Sequence, residues 1–83
     1  MNSGISIKIE VKLFNEFQQY KPGENNIFQL ELDQGACVKY LLEKFKIPDA
    51  AEPVILINGR RVDENALFSD NDTIVVFSPV AGG

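Results

Sequence analysis

Thr73-Ile74-Val75-Val76-Phe77-Ser78-Pro79-Val80-Ala81-Gly82-Gly83 closes the chain. Residues Thr73 to Phe77 are β-branched or aromatic and apolar on both parities, which predicts a strand with neither face fully wet. The last two residues pack nothing and carry the highest backbone entropy available. Between these halves Pro79 fixes φ near −65° and stiffens the exit from the strand. Without Cβ atoms, Gly82 and Gly83 suit a narrow channel and can bring a terminal carboxylate to another protein's catalytic groups. The plain alternative is a frayed chain end. The choice between them depends on whether the preceding residues build a domain that would use such a tail.

The rest of the chain bounds the answer. Eighty-three residues make one domain, spanning 1–83, with an expected folded core over 5–77 and a flexible tail over 78–83. Twelve acids against eight bases give a net charge of −4. That argues against nucleic acid, which needs clustered Lys and Arg to neutralise phosphates. The single cysteine, Cys37, permits no internal disulfide and suits a reducing, cytoplasmic setting. No basic patch followed by an apolar run marks a signal peptide. The longest aliphatic run, Val54-Ile55-Leu56-Ile57, is far too short to span a membrane. There is no histidine, which removes the commonest general base and the commonest metal ligand together.

Upstream of the last strand the periodicities are legible. After residues 1–4, expected to fray, Ile5, Ile7, Ile9, Val11 and Leu13 alternate with polar residues, the pattern of a half-buried strand. Phe14 follows on the polar parity and is a candidate exposed aromatic. From Asn15 to Asn26 the pattern dissolves into an expected loop, with a turn at Pro22-Gly23. Phe28, Leu30 and Leu32 alternate again, so the two strands read as an antiparallel hairpin. Val38, Leu41, Leu42 and Phe45 fall at i, i+3, i+4 and i+7, one face of a helix. Lys44 and Lys46 suit its negative end, and Pro48 is expected to stop it. Val54 to Ile57 reads as a central strand, and Asn58-Gly59 predicts a type I′ hairpin turn into Arg60-Arg61-Val62. Asp63 to Ser69 reads as a loop or a single helical turn, with Leu67 and Phe68 as candidate plugs. Asp70-Asn71-Asp72 turns the chain into the last strand. The order is ββαβββ, an α+β fold with one sheet packed on one helix.

Other candidate sites are weaker. Cys37 near the helix start is a possible reactive thiol, but without histidine it reads better as a small packing residue. Asp70 and Asp72 could ligate a cation but read better as turn formers. Arg60 and Arg61 read as solvated hairpin charges that could meet a partner's acidic groups. No catalytic set, metal site or bound cofactor is expected.

Two hairpins, a helix between them and a last strand ending in diglycine resemble the ubiquitin-like β-grasp plan. The ending Phe77-Ser78-Pro79-Val80-Ala81-Gly82-Gly83 is similar to that of MoaD-type sulfur carriers. The Asn58-Gly59-Arg60 and Asp70-Asn71-Asp72-Thr73 turns are similar to MoaD and its ThiS relatives. The resemblance runs from Ile5 to Gly83 and implies a mixed sheet. It further implies that an E1-like adenylating enzyme attacks ATP with the Gly83 carboxylate. A persulfide donor then replaces AMP to leave a thiocarboxylate. The carrier would deliver that sulfur within molybdopterin synthase, with the large subunit as acceptor, or alternatively in a ThiS-like thiazole or other thiolation pathway. Pro79, Val80, Ala81 and Gly82 would thread the partners' channels, and Phe14, Phe77 and Arg61 would dock them. ATP would be used by the activating partner, and the chain itself would not be an enzyme. A ubiquitin-like modifier and a non-covalent binding module are the other classes open.

Four residues depart from the pattern. Ser78 stands where the family usually has proline, giving a less stiff tail root. Asn71 replaces a common glycine and tolerates positive φ. Arg61 replaces a frequent apolar interface residue. Cys37 replaces a Thr or Ser helix cap, which implies a weaker helix start.

Overall fold

The computed structural model describes residues 5–79. The expected fray at residues 1–4 and the tail residues Val80, Ala81, Gly82 and Gly83 lie outside the described residues. The elements are β1 (Ser6–Leu13), β2 (Ile27–Asp33), α1 (Val38–Lys44), β3 (Val54–Ile57), β4 (Arg60–Val62) and β5 (Thr73–Phe77), the expected ββαβββ. They form one sheet in the order β2-β1-β5-β3-β4. β1 and β5 run parallel, while β1–β2, β3–β5 and β3–β4 are antiparallel. β3 is paired on both sides, as its apolar sequence predicts, yet the middle position belongs to β5. The chain's last strand is therefore held by neighbours on both edges. Among the described residues no helix is long and apolar enough to cross a membrane.

Alternation in β1 puts Ile7, Ile9, Val11 and Leu13 into the core with Leu32, Ile55, Ile74 and Val76, and α1 covers them with Val38, Leu41 and Leu42. Phe45 packs at the rim of that cluster, its ring edge-on to Phe28 with centroids 5.6 Å apart. The helix face read from the sequence is thus the face that buries.

Four local features differ from the sequence reading. The loop after β1 contains a 3-10 helix, Asn15–Tyr20. Asn15 takes a left-handed φ of 57°, and the tight turn that follows drives Phe17 fully into the core. A second short 3-10 helix, Asp49–Ala51, occupies the linker before β3. α1 stops before Pro48. Lys46 adopts φ 60°, the Lys46 and Ile47 N–H groups donate to the Glu43 and Leu42 carbonyls at 3.1 and 2.9 Å, and Ile47 is buried. That is a Schellman closure with lysine at the left-handed position. Of the two expected plugs, Phe68 is buried but Leu67 is 65% exposed.

The helix start also differs from expectation. Cys37 stands at the N-cap and makes no side-chain cap bond. The loop after β4 supplies the cap instead: the Val38 and Lys39 N–H groups donate to the Ala66 and Glu64 carbonyls, both at 2.9 Å. Two of the four orphan donors of the first turn are satisfied this way, so the missing Ser or Thr costs less than the sequence implies.

Candidate functional site: the tail root and the outer sheet face

Residues paired across a ladder share a face of the sheet. The register therefore places Ile27, Lys12, Val75, Leu56 and Arg61 in one row on the face turned away from α1. One step toward the end of β5, Phe77 stands opposite Val54. Phe14 belongs to the same level. Leu13 and Val76 are partners and both point inward, and Phe14 continues in extended conformation, φ −121° and ψ 167°. Phe14 and Phe77 thus both alternate to the outer face, beside the root of the tail. One step the other way the row is polar, with Gln29, Glu10 and Thr73.

The outer face is graded. Its apolar part lies at the end from which the tail leaves, and two of its cations, Lys12 and Arg61, flank Val75 and Leu56. Phe14 is 37% exposed and Ile27 40%, while Leu56, Val75 and Phe77 are half-buried. On a chain of net charge −4 this is an apolar strip bordered by positive charge. The expected docking residues Phe14, Phe77 and Arg61 are brought onto one face. Lys12, Leu56 and Val75 join them; their parity was readable in the sequence, but their alignment needed the strand order.

The tail root is fixed by named contacts. Phe14 N–H donates to the Val76 carbonyl at 2.9 Å, and Ser78 N–H donates to Asn15 Oδ1 at 3.0 Å. Pro79, exposed, is the last described residue. Gly83, the expected reacting residue, and Val80, Ala81 and Gly82 lie outside the described residues.

The other end of β5 is tied by a polar knot. Asn58 takes φ 52° and Gly59 φ 86°, the left-handed pair that a type I′ turn requires. Asn58 N–H donates to the Thr73 carbonyl at 2.8 Å, and Thr73 N–H donates back to Asn58 Oδ1 at 2.9 Å. Asn58 Nδ2 donates to Asp72 Oδ1 at 2.8 Å, and Asp72 Oδ2 accepts Ser69 N–H at 2.7 Å. Asp70 Oδ1 accepts Lys8 N–H at 2.8 Å. Both carboxylates are thus turn formers with protein partners. Among the described residues no group of His, Cys, Asp and Glu is placed to hold a metal. Cys37 is half-buried beside a shallow hollow lined by Gly35 and Tyr40, with no basic side chain among the lining residues.

This geometry has known counterparts. The chain belongs to the ThiS family, whose model matches residues 11–83. Among solved structures it is similar to a putative molybdopterin converting factor, subunit 1, from Pyrococcus furiosus, at 30% identity and a TM-score of 0.72, covering 89% of this chain and 99% of that one. A chain from the complex of subunits 1 and 2 of molybdopterin-converting factor from Helicobacter pylori matches at 22% identity and a TM-score of 0.59, over 93% of this chain and 100% of that one. SAMP1 from Haloferax volcanii matches at 21% identity and a TM-score of 0.68, over 92% and 99%. Comparison with the curated proteins finds no match. The fold is the ubiquitin-like β-grasp. ThiS- and MoaD-like proteins are small sulfur carriers, non-catalytic subunits that work in complexes.

Proposed function

We propose that this chain is a sulfur carrier whose Gly83 carboxylate is adenylated and converted to a thiocarboxylate, and that it donates that sulfur in molybdopterin synthesis. The observation that carries the reading is that the family match runs through the tail to Gly83. The chemistry follows from the group. A free carboxylate is a poor acylating centre at neutral pH. Attack of its oxygen on the α-phosphorus of ATP expels pyrophosphate and leaves an acyl adenylate. A persulfide sulfur attacks that carbonyl and AMP departs. A thiol then reduces the resulting acyl disulfide, leaving the thiocarboxylate on Gly83.

The chain's own contribution is presentation. β5, paired on both edges, is a stiff seat for the tail. The strip of Phe14, Ile27, Leu56, Val75 and Phe77 gives a partner an apolar surface beside the tail root, and Lys12 and Arg61 give it two cations to pair with acidic groups. The partners are an E1-like adenylating enzyme, which uses the ATP, and a larger molybdopterin synthase subunit as acceptor. The likeness to a molybdopterin converting factor subunit 1 favours this pathway over thiazole synthesis. The setting is the cytoplasm, and no resident cofactor is needed.

A protein-modifier reading shares the first step. The likeness in fold to SAMP1 keeps it in view, with a lysine amine in place of the persulfide. Incubation with the cognate activating enzyme, ATP and a persulfide donor separates the two. A thiocarboxylate at Gly83 supports the carrier, and isopeptide adducts without it support the modifier.

A further inference from the structure

β1 and β5 run parallel, with Leu13 opposite Val76. In such a ladder, once Phe14 N–H has donated to the Val76 carbonyl, the next rung runs from the residue 78 N–H to the Phe14 carbonyl. Here that carbonyl is already taken: it accepts Phe17 N–H at 3.1 Å, as the 3-10 helix begins. The rung is made nonetheless, because Ser78 N–H donates at 3.0 Å to the side-chain Oδ1 of Asn15. Asn15 does this from φ 57°, a left-handed conformation that asparagine adopts more readily than most residues. Pro79 has no N–H, so Ser78 supplies the last donor before the chain's final four residues.

We propose that Asn15 is a positioning residue for the tail, its amide oxygen replacing the ladder carbonyl that the 3-10 helix withdraws and thereby fixing the direction in which residues 79–83 leave the sheet. The proposal rests on the carrier reading. Five residues in extended form reach at most about 17 Å beyond Ser78, so a small swing at the root moves the tip by several ångströms. Misplacement of a reacting group by about 1 Å can cost about 100-fold in rate. A proline at position 78 would lock the root by its ring and have no N–H to satisfy. A serine there needs an acceptor, and Asn15 supplies it.

Three variants and two readouts test this. Asn15→Gly keeps the left-handed backbone and removes the acceptor, Asn15→Asp keeps both, and Asn15→Gly with Ser78→Pro removes donor and acceptor together. Amide hydrogen exchange at Ser78 reads the rung directly. Adenylation by the activating enzyme, as kcat and KM for the carrier, reads its use. Asn15→Gly should speed Ser78 exchange and lower kcat/KM, each by about 3- to 10-fold, the range of one ordinary hydrogen bond. Asn15→Asp should stay near wild type, and Ser78→Pro should restore the rate in the glycine background. Unchanged Ser78 exchange in Asn15→Gly overturns the rung. Lost protection with unchanged adenylation overturns the positioning role. So does a rate loss that tracks a fall in melting temperature and that Ser78→Pro does not relieve. A wild-type chain that is never adenylated sinks the carrier reading and this role with it, while the exchange readout still reports whether the rung exists.

Discussion

Phe77 stands directly opposite Val54 across the β3–β5 pair, and Val54 is 5% exposed although both residues face away from the helix-side core. Phe77, half-buried, thus has Val54 on one flank and Phe14 at the same level on the β1 side, which suits the interface anchor proposed for it beside the tail root. Phe77→Ala should weaken partner binding by about 2 kcal/mol, typical of a buried aromatic anchor, with a smaller effect on folding stability. Titration calorimetry against the partner, set beside thermal melts, checks this. Equal losses of binding and stability would make Phe77 a core residue instead.

Arg61 lies in the row with Leu56, Val75 and Lys12. As a cation at the rim of the proposed docking strip it should act mainly on association rate. Arg61→Glu should slow association with an acidic partner surface and flatten its salt dependence, with dissociation changed less. Stopped-flow mixing at two ionic strengths reads both. An effect confined to dissociation would place Arg61 at the buried centre of the interface.

Asp72 joins the Asn58 turn to the start of β5 through Asn58 Nδ2 and Ser69 N–H. Asp72→Ala leaves both donors without that acceptor in a partly buried site and should cost about 1–3 kcal/mol. For a domain of this size that lowers Tm by roughly 4–8 °C per kcal/mol. The knot is at the opposite end of β5 from the tail, so sulfur loading of the folded fraction should be unchanged. A thermal melt and a loading assay on the same sample test both statements.

Cys37 sits at the N-cap of α1 without capping it. Serine caps better than cysteine, but the Ala66 and Glu64 carbonyls already take the first two helix donors, which leaves a new hydroxyl little to gain. Cys37→Ser should change stability by no more than about 0.5 kcal/mol and should retain full carrier activity. Loss of sulfur loading in a folded Cys37→Ser protein would give the thiol a role that the packing reading denies it.

Local periodicity carried most of the fold. The alternation of Ile7 to Leu13, the stripe of Val38, Leu41, Leu42 and Phe45, and the Asn58-Gly59 turn each act within a few residues, and each was legible. The 3-10 helix at Asn15–Tyr20 was not, because a single buried aromatic, Phe17, in a polar run makes no period. Nor were the capping of α1 by Glu64 and Ala66 and the rung from Ser78 to Asn15, since these join residues far apart in the chain. The candidate docking face was half legible. Phe14 could be singled out by its parity, Phe77 by its place beside the tail, and Arg61 by its charge after the Asn58-Gly59 turn. Their alignment with Lys12, Leu56 and Val75 required the parallel β1–β5 pairing that sets the sheet order.

The central claim concerns Gly83, and intact mass spectrometry tests it most directly. After incubation with the cognate activating enzyme, ATP and a persulfide donor, a fraction of the protein should be heavier by one sulfur-for-oxygen exchange, and fragmentation should place the change at Gly83. Deleting Gly83 or adding a residue beyond it should abolish the shift and leave Tm nearly unchanged, because a terminal glycine has no side chain to pack and contributes little to folding stability. Wild-type protein that never gains the mass under those conditions, or that gains it at any residue other than Gly83, would contradict the account.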